Sequence, residues 1–548
     1  MTSTAQLLAP SGTPLFSANQ VRAIESAHKQ IDLMRRAGKA AAEFLIRRTR
    51  SDARVVLFAG PGNNGGDAMA CAAELAVAGY APVVVLLGDP EKFGEDAARA
   101  WRRVMELRDV ANTSGSAPSP PEGEGWGEGE VGAKNNPSAP HQSPPLPQPP
   151  GLKGSGGQIV VTREIPAAIS ADWIVDGLFG IGLKRPLHGV YSDAARAIAT
   201  ARANGTTVLA LDVPSGIDAD TGAAAGDVAV VADYTIAFLA LRPGLLTGPA
   251  LDYVGALHCE PLGAELGINS LTQPVAHALS STYIDAVRLA TGKNAHKGSH
   301  GTCVILGGAT GMLGAALLAS RAAMRCGAGK VKLGWLADPA PQVDPQMPEV
   351  MMAKAAELVA TACDSLVIGC GLGVSGAAVR LLSAALKRDV PIIVDADALN
   401  LIAQSAELTT LMQRRQSPTV ITPHPAEAAR LLGCSTAAVQ ADRLHAAADL
   451  AKGYGCIAVL KGAGTVVCCA TGTTINATIN ATGNPLLATA GTGDVLAGMM
   501  GALLAQGYAA ATAARLAVCL HGAAADAMRE RGMKRAVASD VVSALRWL

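Results

Sequence analysis

The residues best suited to chemistry form the run Gly491-Thr492-Gly493-Asp494, which an apolar pattern of helical spacing follows. Its two glycines let the backbone turn tightly and approach a ligand closely. The free N–H groups at the start of a helix attract an anion. Asp494 suits a helix cap, and it equally suits a base that removes a proton from a hydroxyl next to a phosphoryl group. The run alone leaves both interpretations open.

Other polar runs of the second half follow predicted strands, and ligands of open α/β sheets bind at the carboxyl ends of strands. Lys461-Gly462-Ala463-Gly464-Thr465 is a candidate for binding nucleotide phosphate or ribose. His424 lies between two prolines that fix its backbone, although a lone histidine is more often structural. Asp395 and Asp397 are plausible contacts for Mg²⁺ through water, but such carboxylates are equally common as helix caps.

Three polar runs of the first half also follow predicted strands. The glycines and the helix start of Asn63-Asn64-Gly65-Gly66-Asp67 suit a phosphate. This run matches neither G-x-G-x-x-G nor a Walker loop, so a standard dinucleotide or P-loop site is not supported. The second run is Gly180-Ile181-Gly182-Leu183-Lys184-Arg185-Pro186, and the third begins at Asp212, a candidate acid or base.

Oxygen ligands on these neighbouring loops suit an alkali cation. They are Asn64, Asp176 and Ser215. The alternative is that these polar side chains only cap strands and helices. Three polar loops at the ends of strands favour a site.

Alternating strands and helices must position all of these residues, as in a parallel α/β sheet. The predicted strands are 53–59, 83–87, 159–162, 171–179, 207–213 and 235–240, then 301–306, 330–334, 365–368, 391–394, 419–421 and 457–460. One or two helices are predicted over 17–49, another over 93–108, and three at the end of the chain, one of which begins at Asp494. A boundary near 265–280 gives domains 1–270 and 271–548.

The segment 112–157 breaks this pattern, because it is rich in Ser, Pro, Gly and Glu and has almost no apolar periodicity. Such a composition cannot bury enough surface to offset the entropy of ordering. We expect a disordered insertion at a loop, inside the first domain.

Composition excludes several classes of function. Lys+Arg and Asp+Glu are both 45, so nothing in the net charge indicates nucleic acid or an anionic membrane. Eleven cysteines without a C-x-x-C indicate reduced thiols and a cytoplasmic protein, and no signal peptide is visible. The uncharged stretch 495–514 could be mistaken for a membrane span, but its glycines favour a turn between two buried helices.

Taken together, the runs resemble two known families. Residues from about 17 to 265 resemble the NAD(P)H-hydrate epimerases through Gly60 to Asp67, Asp176 to Gly182 and Asp212 to Gly216. Residues from about 280 to 548 resemble the ADP/ATP-dependent NAD(P)H-hydrate dehydratases through His296 to Gly298, Thr422 to Pro425, Lys461 to Thr465 and Asn484 to Gly498. Cys370 departs from the second family, which usually has Pro there in a Gly-Pro-Gly-Leu-Gly loop. The insertion is also foreign to the family.

The resemblance implies an α/β chain with a Rossmann-like domain followed by a ribokinase-like domain. The first would interconvert the R and S epimers of NAD(P)H hydrate at C6 of the nicotinamide ring. Its substrate contacts would be Asn63, Asn64, Gly65, Gly66, Asp67, the run Gly180 to Pro186, Tyr191 and Asp212, and K⁺ would be held by Asn64, Asp176 and Ser215.

The second domain would dehydrate the S epimer to NAD(P)H, using ADP or ATP with Mg²⁺; with ADP the products would be AMP and phosphate. By the resemblance, Asp494 removes the hydroxyl proton, and the N–H groups of Gly491 to Gly493 stabilise the transferred phosphoryl. The nucleotide contacts would be Lys461, Gly462, Ala463, Gly464, Thr465 and Gly493, and the hydrate contacts Ala315, Gly373, His424 and Asp494.

One alternative is a ribokinase-like kinase of a vitamin precursor, fused to a nucleotide-binding module without catalysis. In either case we expect small-molecule substrates, no nucleic-acid or membrane partner, and a homo-oligomer.

Overall fold

The computed structural model describes residues 12–113, 157–264, 272–289, 292–471 and 474–548. Within these ranges the chain forms two β-sheets flanked by helices, one of seven strands and one of eleven. The predicted α/β class, with a mainly parallel sheet in each half, is therefore confirmed. Most of the insertion predicted at 112–157 lies outside the described residues.

The strands are β1 Thr13–Leu15, β2 Val55–Ala59, β3 Val83–Leu86, β4 Val160–Thr162, β5 Trp173–Gly177, β6 Thr207–Leu211, β7 Tyr234–Phe238, β8 Ala256–Glu260, β9 Ala276–Leu279, β10 Thr302–Gly307, β11 Lys330–Trp335, β12 Met351–Lys354, β13 Ser365–Ile368, β14 Ile392–Val394, β15 Thr419–Ile421, β16 Ile457–Leu460, β17 Val466–Thr471 and β18 Thr474–Asn480.

The α-helices are α1 Ala18–Ala27, α2 Leu33–Ile46, α3 Asn63–Val77, α4 Glu95–Thr113, α5 Val190–Ala203, α6 Thr282–Val287, α7 Leu313–Arg325, α8 Ala355–Leu358, α9 Gly376–Leu386, α10 Asp397–Gln404, α11 Ala406–Gln413, α12 Pro425–Leu432, α13 Thr436–Ala441, α14 Arg443–Tyr454, α15 Thr492–Ala505, α16 Ala510–Glu530 and α17 Ala538–Ala544. Short 3₁₀ turns occur at Pro90–Lys92, Pro243–Leu246, Gly248–Asp252, Pro485–Leu487 and Leu545–Trp547.

The first sheet has the strand order β4-β3-β2-β5-β6-β7-β8, and every pair in it is parallel. Its inner strand β2 is buried along its whole length, which explains why an uninterrupted apolar run predicted it. Because parallel strands end at the same edge, the loops after β2, β5, β6 and β7 meet there.

The second sheet has the order β1-β9-β18-β17-β16-β15-β14-β13-β10-β11-β12. Strands β10 to β16 run parallel, and the β17–β18 hairpin continues the sheet antiparallel to β16. The carboxyl ends of β10, β13, β14, β15 and β16 therefore lie side by side. These ends carry the polar runs of the second half.

Two of the differences between predicted and observed element boundaries concern the site residues. The run from Asn63 to Asp67 was expected to form a loop, but it is the first turn of α3, with Gly62 as the N-cap. The helix expected to begin at Asp494 begins at Thr492, because Gly491 caps it in the left-handed conformation with φ 89°. Asp494 is therefore inside the first turn and does not cap the helix.

Strands β1, β8, β9, β12, β17 and β18 have no counterpart in the predicted set. The sequence of β18, Thr-Ile-Asn-Ala-Thr-Ile-Asn, lacks the continuous apolar run that marked the central strands.

The uncharged stretch 495–514 falls on α15, a turn, and the start of α16, as predicted. Helix α15 is buried on nearly all sides, which accounts for the lack of charged residues after Asp494. Among the described residues, no helix has both the length and the apolar character needed to cross a membrane.

The two halves share contacts at both ends of the first half. β1 pairs with β9 of the second sheet, although it precedes the first helices of the first half. Leu245 and Leu246, after β7, belong to the same buried apolar cluster as Val466 and Ile479 of the second sheet. The division into domains at residue 270 stays a prediction.

Candidate active sites

The first candidate site is built around Asp212, directly after β6. Its backbone is left-handed, with φ 64°, a conformation that non-glycine residues adopt only under constraint. The fully buried Arg242 forms an ion pair with the Asp212 carboxylate and donates to its carbonyl at 2.6 Å. Asp212 Oδ2 accepts from the N–H of Ile181 at 3.2 Å. The carboxylate is thus held in one orientation by a buried cation and a backbone donor.

Glycine at position 180 lets three loops meet at this carboxylate. A Cβ at Gly180 would lie 2.8 Å from Asp212 Oδ2 and 3.4 Å from Cγ of Asn64. Any side chain there would push Asp212 or Asn64 aside. The loops after β2, β5 and β6 therefore converge, as their positions at strand ends predicted.

Asp176 and Ser215 are bonded to each other, and Asn64 lies in the neighbouring turn, where its backbone carbonyl oxygen would be 2.9 Å from a Cβ on Gly177. Ser215 donates to Asp176 from its hydroxyl at 2.7 Å and from its N–H at 2.8 Å. Burial raises the pKa of Asp176 to about 6, against the effect of these hydrogen bonds. The side-chain amide of Asn64 is buried, and neither its oxygen nor its nitrogen has a hydrogen-bond partner. The orphaned amide oxygen of Asn64 and the buried carboxylate of Asp176, on neighbouring loops, are groups that suit a monovalent cation.

A cleft of about 1030 Å³ opens above these residues. The predicted site residues that line it are Asn63, Asn64, Asp67, Gly180, Ile181, Gly182, Leu183 and Asp212. Glu25 and Arg22, from α1, also line it. Burial raises the pKa of both Asp67 and Glu25, and the nearby Asp212 raises each further. The carboxyl groups of Glu25, Asp67 and Asp212 therefore line one cleft, and carboxyl groups can serve as general acids or bases.

Other predicted residues of the first half lie outside the lining of this cleft. Lys184 is paired with Asp218 at 2.9 Å and with Asp220 at 3.1 Å. The Tyr191 hydroxyl donates to the carbonyl of Leu87 at 3.4 Å. Further members outside the lining are Gly65 and Gly66, which pack inward within α3, and the exposed Arg185 and Pro186.

The second candidate site centres on Lys461, directly after β16. Its ammonium nitrogen lies 2.8 Å from Asp395 Oδ1, after β14, and 3.8 Å from Glu427 Oε2, in α12. Burial acts to lower the pKa of Lys461, but Asp395 and Glu427 outweigh it and the pKa is raised. A Cβ at Gly493 would lie only 3.3 Å from this ammonium group. The lysine loop and the start of α15 are thus adjacent.

Asp494 faces this cluster from the first turn of α15. The Sγ of Cys370, after β13, and carboxylate oxygens of Asp395 and Asp494 lie within 4.8 Å of one another. Burial and the Asp395 charge raise the pKa of Asp494 to about 6, while a hydrogen bond from the Cys370 thiol opposes the rise. Burial, together with both carboxylates, raises the pKa of the thiol, so it stays a donor. Of the two sequence interpretations, this environment favours the base.

His424 is the N-cap of α12. Its Nδ1 accepts from the N–H groups of Ala426 and Glu427 at 3.1 and 3.3 Å, so its proton is on Nε2, which lies 3.3 Å from Glu427 Oε1. Burial lowers the pKa of His424, which keeps the ring neutral. The ring is half exposed at the edge of the Lys461 cluster, so capping leaves it able to contact a ligand.

Ala315 and Gly373 frame the other side of the second site. The N–H of Gly373 donates to Asp397 Oδ2 at 2.8 Å. A Cβ at Gly371 would lie 3.2 Å from the Ala315 methyl group, so the loop after β13 packs against α7. For Asp395 and Asp397 the sequence left a Mg²⁺ contact and a helix cap equally open, and in the structure they accept from Lys461 and from the N–H of Gly373. Each carboxylate still has a second oxygen for a hydrated cation.

The basic run at His296 to Gly298 lies at the opposite edge of the second sheet. It precedes β10, whereas the Lys461 cluster follows the carboxyl ends of its neighbours.

Sequence reasoning missed Arg242, Glu25 and Arg443. Arg242 follows β7 at the same edge as Asp212, and that position was the available signal. Glu25 and Arg443 lie within helices, where no motif marked them.

Two α/β halves, each with carboxylates at the carboxyl edge of its sheet, are an arrangement typical of an enzyme with two candidate sites. A family described as YjeF-related protein N-terminus matches residues 30–244, and one described as NAD(P)H-hydrate dehydratase matches residues 303–545. The bifunctional NAD(P)H-hydrate repair enzyme of Coxiella burnetii is 34% identical over 547 residues, which cover 98% of this chain and 99% of that protein. Its Escherichia coli counterpart is 39% identical, over 73% of this chain and 77% of that protein. The chain belongs to the family of bifunctional NAD(P)H-hydrate repair enzymes.

Solved structures similar to the second half include the ADP/ATP-dependent NAD(P)H-hydrate dehydratase of Bacillus subtilis, co-crystallised with ATP and Mg²⁺. It is 30% identical, with 48% of this chain and 95% of that chain covered and a TM-score of 0.43.

Proposed function

We propose that this chain repairs hydrated nicotinamide nucleotides with two separate sites. The Asp212 site interconverts the R and S epimers of NAD(P)H hydrate, and the Asp494 site dehydrates the S epimer to NAD(P)H with ADP or ATP. The observation that carries the proposal is the environment of Asp494. Its carboxylate caps no helix, sits at a helix start, and lies within 4.8 Å of a thiol and of Asp395.

The dehydration needs a phosphoryl donor because hydroxide is a poor leaving group. Asp494 takes the proton from the C6 hydroxyl. The hydroxyl oxygen attacks the terminal phosphoryl of ADP at the same time, and AMP leaves. Phosphate then leaves C6, a proton leaves the neighbouring carbon, and the ring double bond is restored. The first N–H groups of α15 have no partner inside the helix and are placed to stabilise the transferred phosphoryl.

The second-site residues divide between the two substrates. We assign the run Lys461 to Thr465, with Gly493, to the nucleotide, because Lys461 supplies a buried positive charge. We assign Ala315, Gly373 and His424 to the hydrate. Mg²⁺ bound with the nucleotide would offset phosphate charge, and Asp395 and Asp397 offer oxygens that suit it through water.

In the first site Asp212 is the residue that moves a proton at C6 or its neighbour, and Arg242 holds its carboxylate in one orientation. The cleft volume of about 1030 Å³ suits a dinucleotide-sized ligand. Asn64, Asp176 and Ser215 would hold K⁺, and the cation would supply positive charge at this edge of the sheet. The run Gly180 to Pro186 and Tyr191 are proposed substrate contacts, although part of this run lies outside the cleft.

We also propose a cytoplasmic homo-oligomer that acts on small molecules, not on nucleic acids or membranes. All eleven cysteines are free, which fits a reducing compartment.

The test supplies the purified R epimer with ADP and follows both epimers by chromatography. The proposal predicts that R is consumed only through S, and that Asp212→Asn leaves R unconsumed while S is still dehydrated. Direct dehydration of R by the Asp212→Asn chain would refute the division of labour.

A further inference from the structure

The segment after β7 in the first half directly contacts the run Lys461 to Thr465 of the second half. We call this run the nucleotide loop. The Thr247 hydroxyl donates to the carbonyl of Gly464 at 2.7 Å, and the N–H of Gly248 donates to the carbonyl of Ala463 at 3.1 Å. A Cβ at Gly464 would lie 2.0 Å from the carbonyl oxygen of Leu246. The glycine at 464 is therefore needed for backbone contact between the halves.

Arg443, at the start of α14, also bonds to the start of this loop and to Thr247. It donates to the Thr247 hydroxyl at 3.0 Å and to the carbonyls of Leu460 and Lys461 at 3.2 and 3.1 Å. Thr247 is 0% exposed and Arg443 is 1% exposed, so water does not replace these bonds easily. The arginine, the threonine and the loop form one connected network.

Arg443 also places a charge at the loop. Its partners are hydroxyl, amide and carbonyl oxygens, and among the described residues no carboxylate pairs with it. Burial lowers its pKa to about 10, which still leaves it protonated at neutral pH. Its guanidinium nitrogens lie 3.2 Å from the position of a Cβ on Gly462. The positive charge of Arg443 next to this loop favours the binding of a phosphate to the loop.

We propose that Thr247 and Arg443 are positioning residues for the nucleotide loop, so that the epimerase half supplies part of the nucleotide site of the dehydratase half. This inference rests on the proposed function. Gly462 and Gly464, at φ 128° and 61°, give the loop conformational freedom that binding would otherwise have to remove. Because Thr247 and Arg443 both bond to the loop, the entropic cost of ordering it is met before the nucleotide binds.

Thr247→Val in the full chain tests the tether, because it keeps the shape and removes the hydroxyl. We expect the KM for ADP and its calorimetric Kd to rise about tenfold, equivalent to about 1.4 kcal/mol. The kcat of dehydration at saturating ADP and the rate of epimerisation should stay near wild type. Thr247→Ser, which restores the hydroxyl, should recover most of the affinity.

Thr235→Val is the matched control. Thr235 is also 0% exposed, and its hydroxyl donates at 2.7 Å to the carbonyl of Val254, within the first half. An ADP affinity unchanged by Thr247→Val, or lowered equally by Thr235→Val, would overturn the inference. A wild-type chain that binds ADP but dehydrates nothing would refute the proposed function instead, and the tether would still be decided by the calorimetry.

Discussion

Arg242 forms an ion pair with the carboxylate of Asp212 and donates a hydrogen bond to the backbone carbonyl of Asp212. The Arg242 side chain is itself 0% exposed. Its Nη1 donates to the carbonyls of Phe238 and Ala240, each at 3.0 Å. Asp212 thus combines the left-handed backbone with a buried counter-charge. Such an arrangement fixes a carboxylate in one orientation at the floor of the first cleft.

Asp212→Asn keeps the size of the side chain and removes the negative charge. Because general acid–base catalysis contributes about 10²- to 10⁴-fold, we expect R-to-S conversion to fall by at least about 10²-fold. Dehydration of the S epimer, measured in the same preparation, is the internal control and should not change. Conversion at the wild-type rate would remove Asp212 from the mechanism.

Asp212→Ala should also destabilise the fold. It leaves the buried charge of Arg242 without its partner, and breaking a buried ion pair costs about 3–5 kcal/mol. Urea unfolding of the two variants measures this cost. The free energy of unfolding should fall less in Asp212→Asn, because its amide oxygen can still accept from the guanidinium. Equal stability of wild type and Asp212→Ala would contradict the buried pair.

The pH dependence of dehydration reports on Asp494. A base acts only when it is deprotonated, and the pKa of Asp494 is raised to about 6. The kcat should therefore rise with pH through about 6 and level off above it. Asp494→Asn should lose dehydration across the whole range and retain epimerisation. A kcat that falls as pH rises through this window would contradict the assignment.

Cys370→Ala should move that pH profile. The thiol hydrogen bond opposes the rise in the pKa of Asp494, so its removal raises the pKa further and shifts the acid limb to higher pH. Cys370→Ser retains a donor and should leave the limb close to wild type. If the alanine and serine variants share one profile, the hydrogen bond has no effect on the base.

Potassium binding is testable without turnover. If the orphaned amide of Asn64 belongs to a cation site, K⁺ in place of a bulky organic cation should raise the midpoint of thermal unfolding. Asn64→Ala should abolish that rise. Ser192→Ala serves as a control, since Ser192 is buried in the same half but not among the proposed ligands. The same K⁺ response in wild type and Asn64→Ala would rule the site out.

The sequence predicted the central strands and the runs at their ends because both depend on local pattern. Continuous apolar runs marked β2, β13 and β16, and the parallel arrangement then implied where Asp212 and Lys461 would lie. That step needed only the rule that ligands bind at the carboxyl ends of such strands.

Long-range pairings left no comparable signal. Nothing local shows that β1 joins the second sheet, or that Arg443 reaches Thr247 across 196 positions of sequence. The role of Asp494 was likewise undecided, because cap and base share one position in the motif. The structure favours the base, because Gly491 is the N-cap and because Cys370 and Asp395 lie beside Asp494.

The most direct test of the two-site account incubates the purified S epimer of NADH hydrate with ADP and Mg²⁺. The account predicts that NADH absorbance returns, with one AMP and one phosphate released for each NADH formed. A stable phosphorylated product with no NADH, as expected of a kinase, would contradict it.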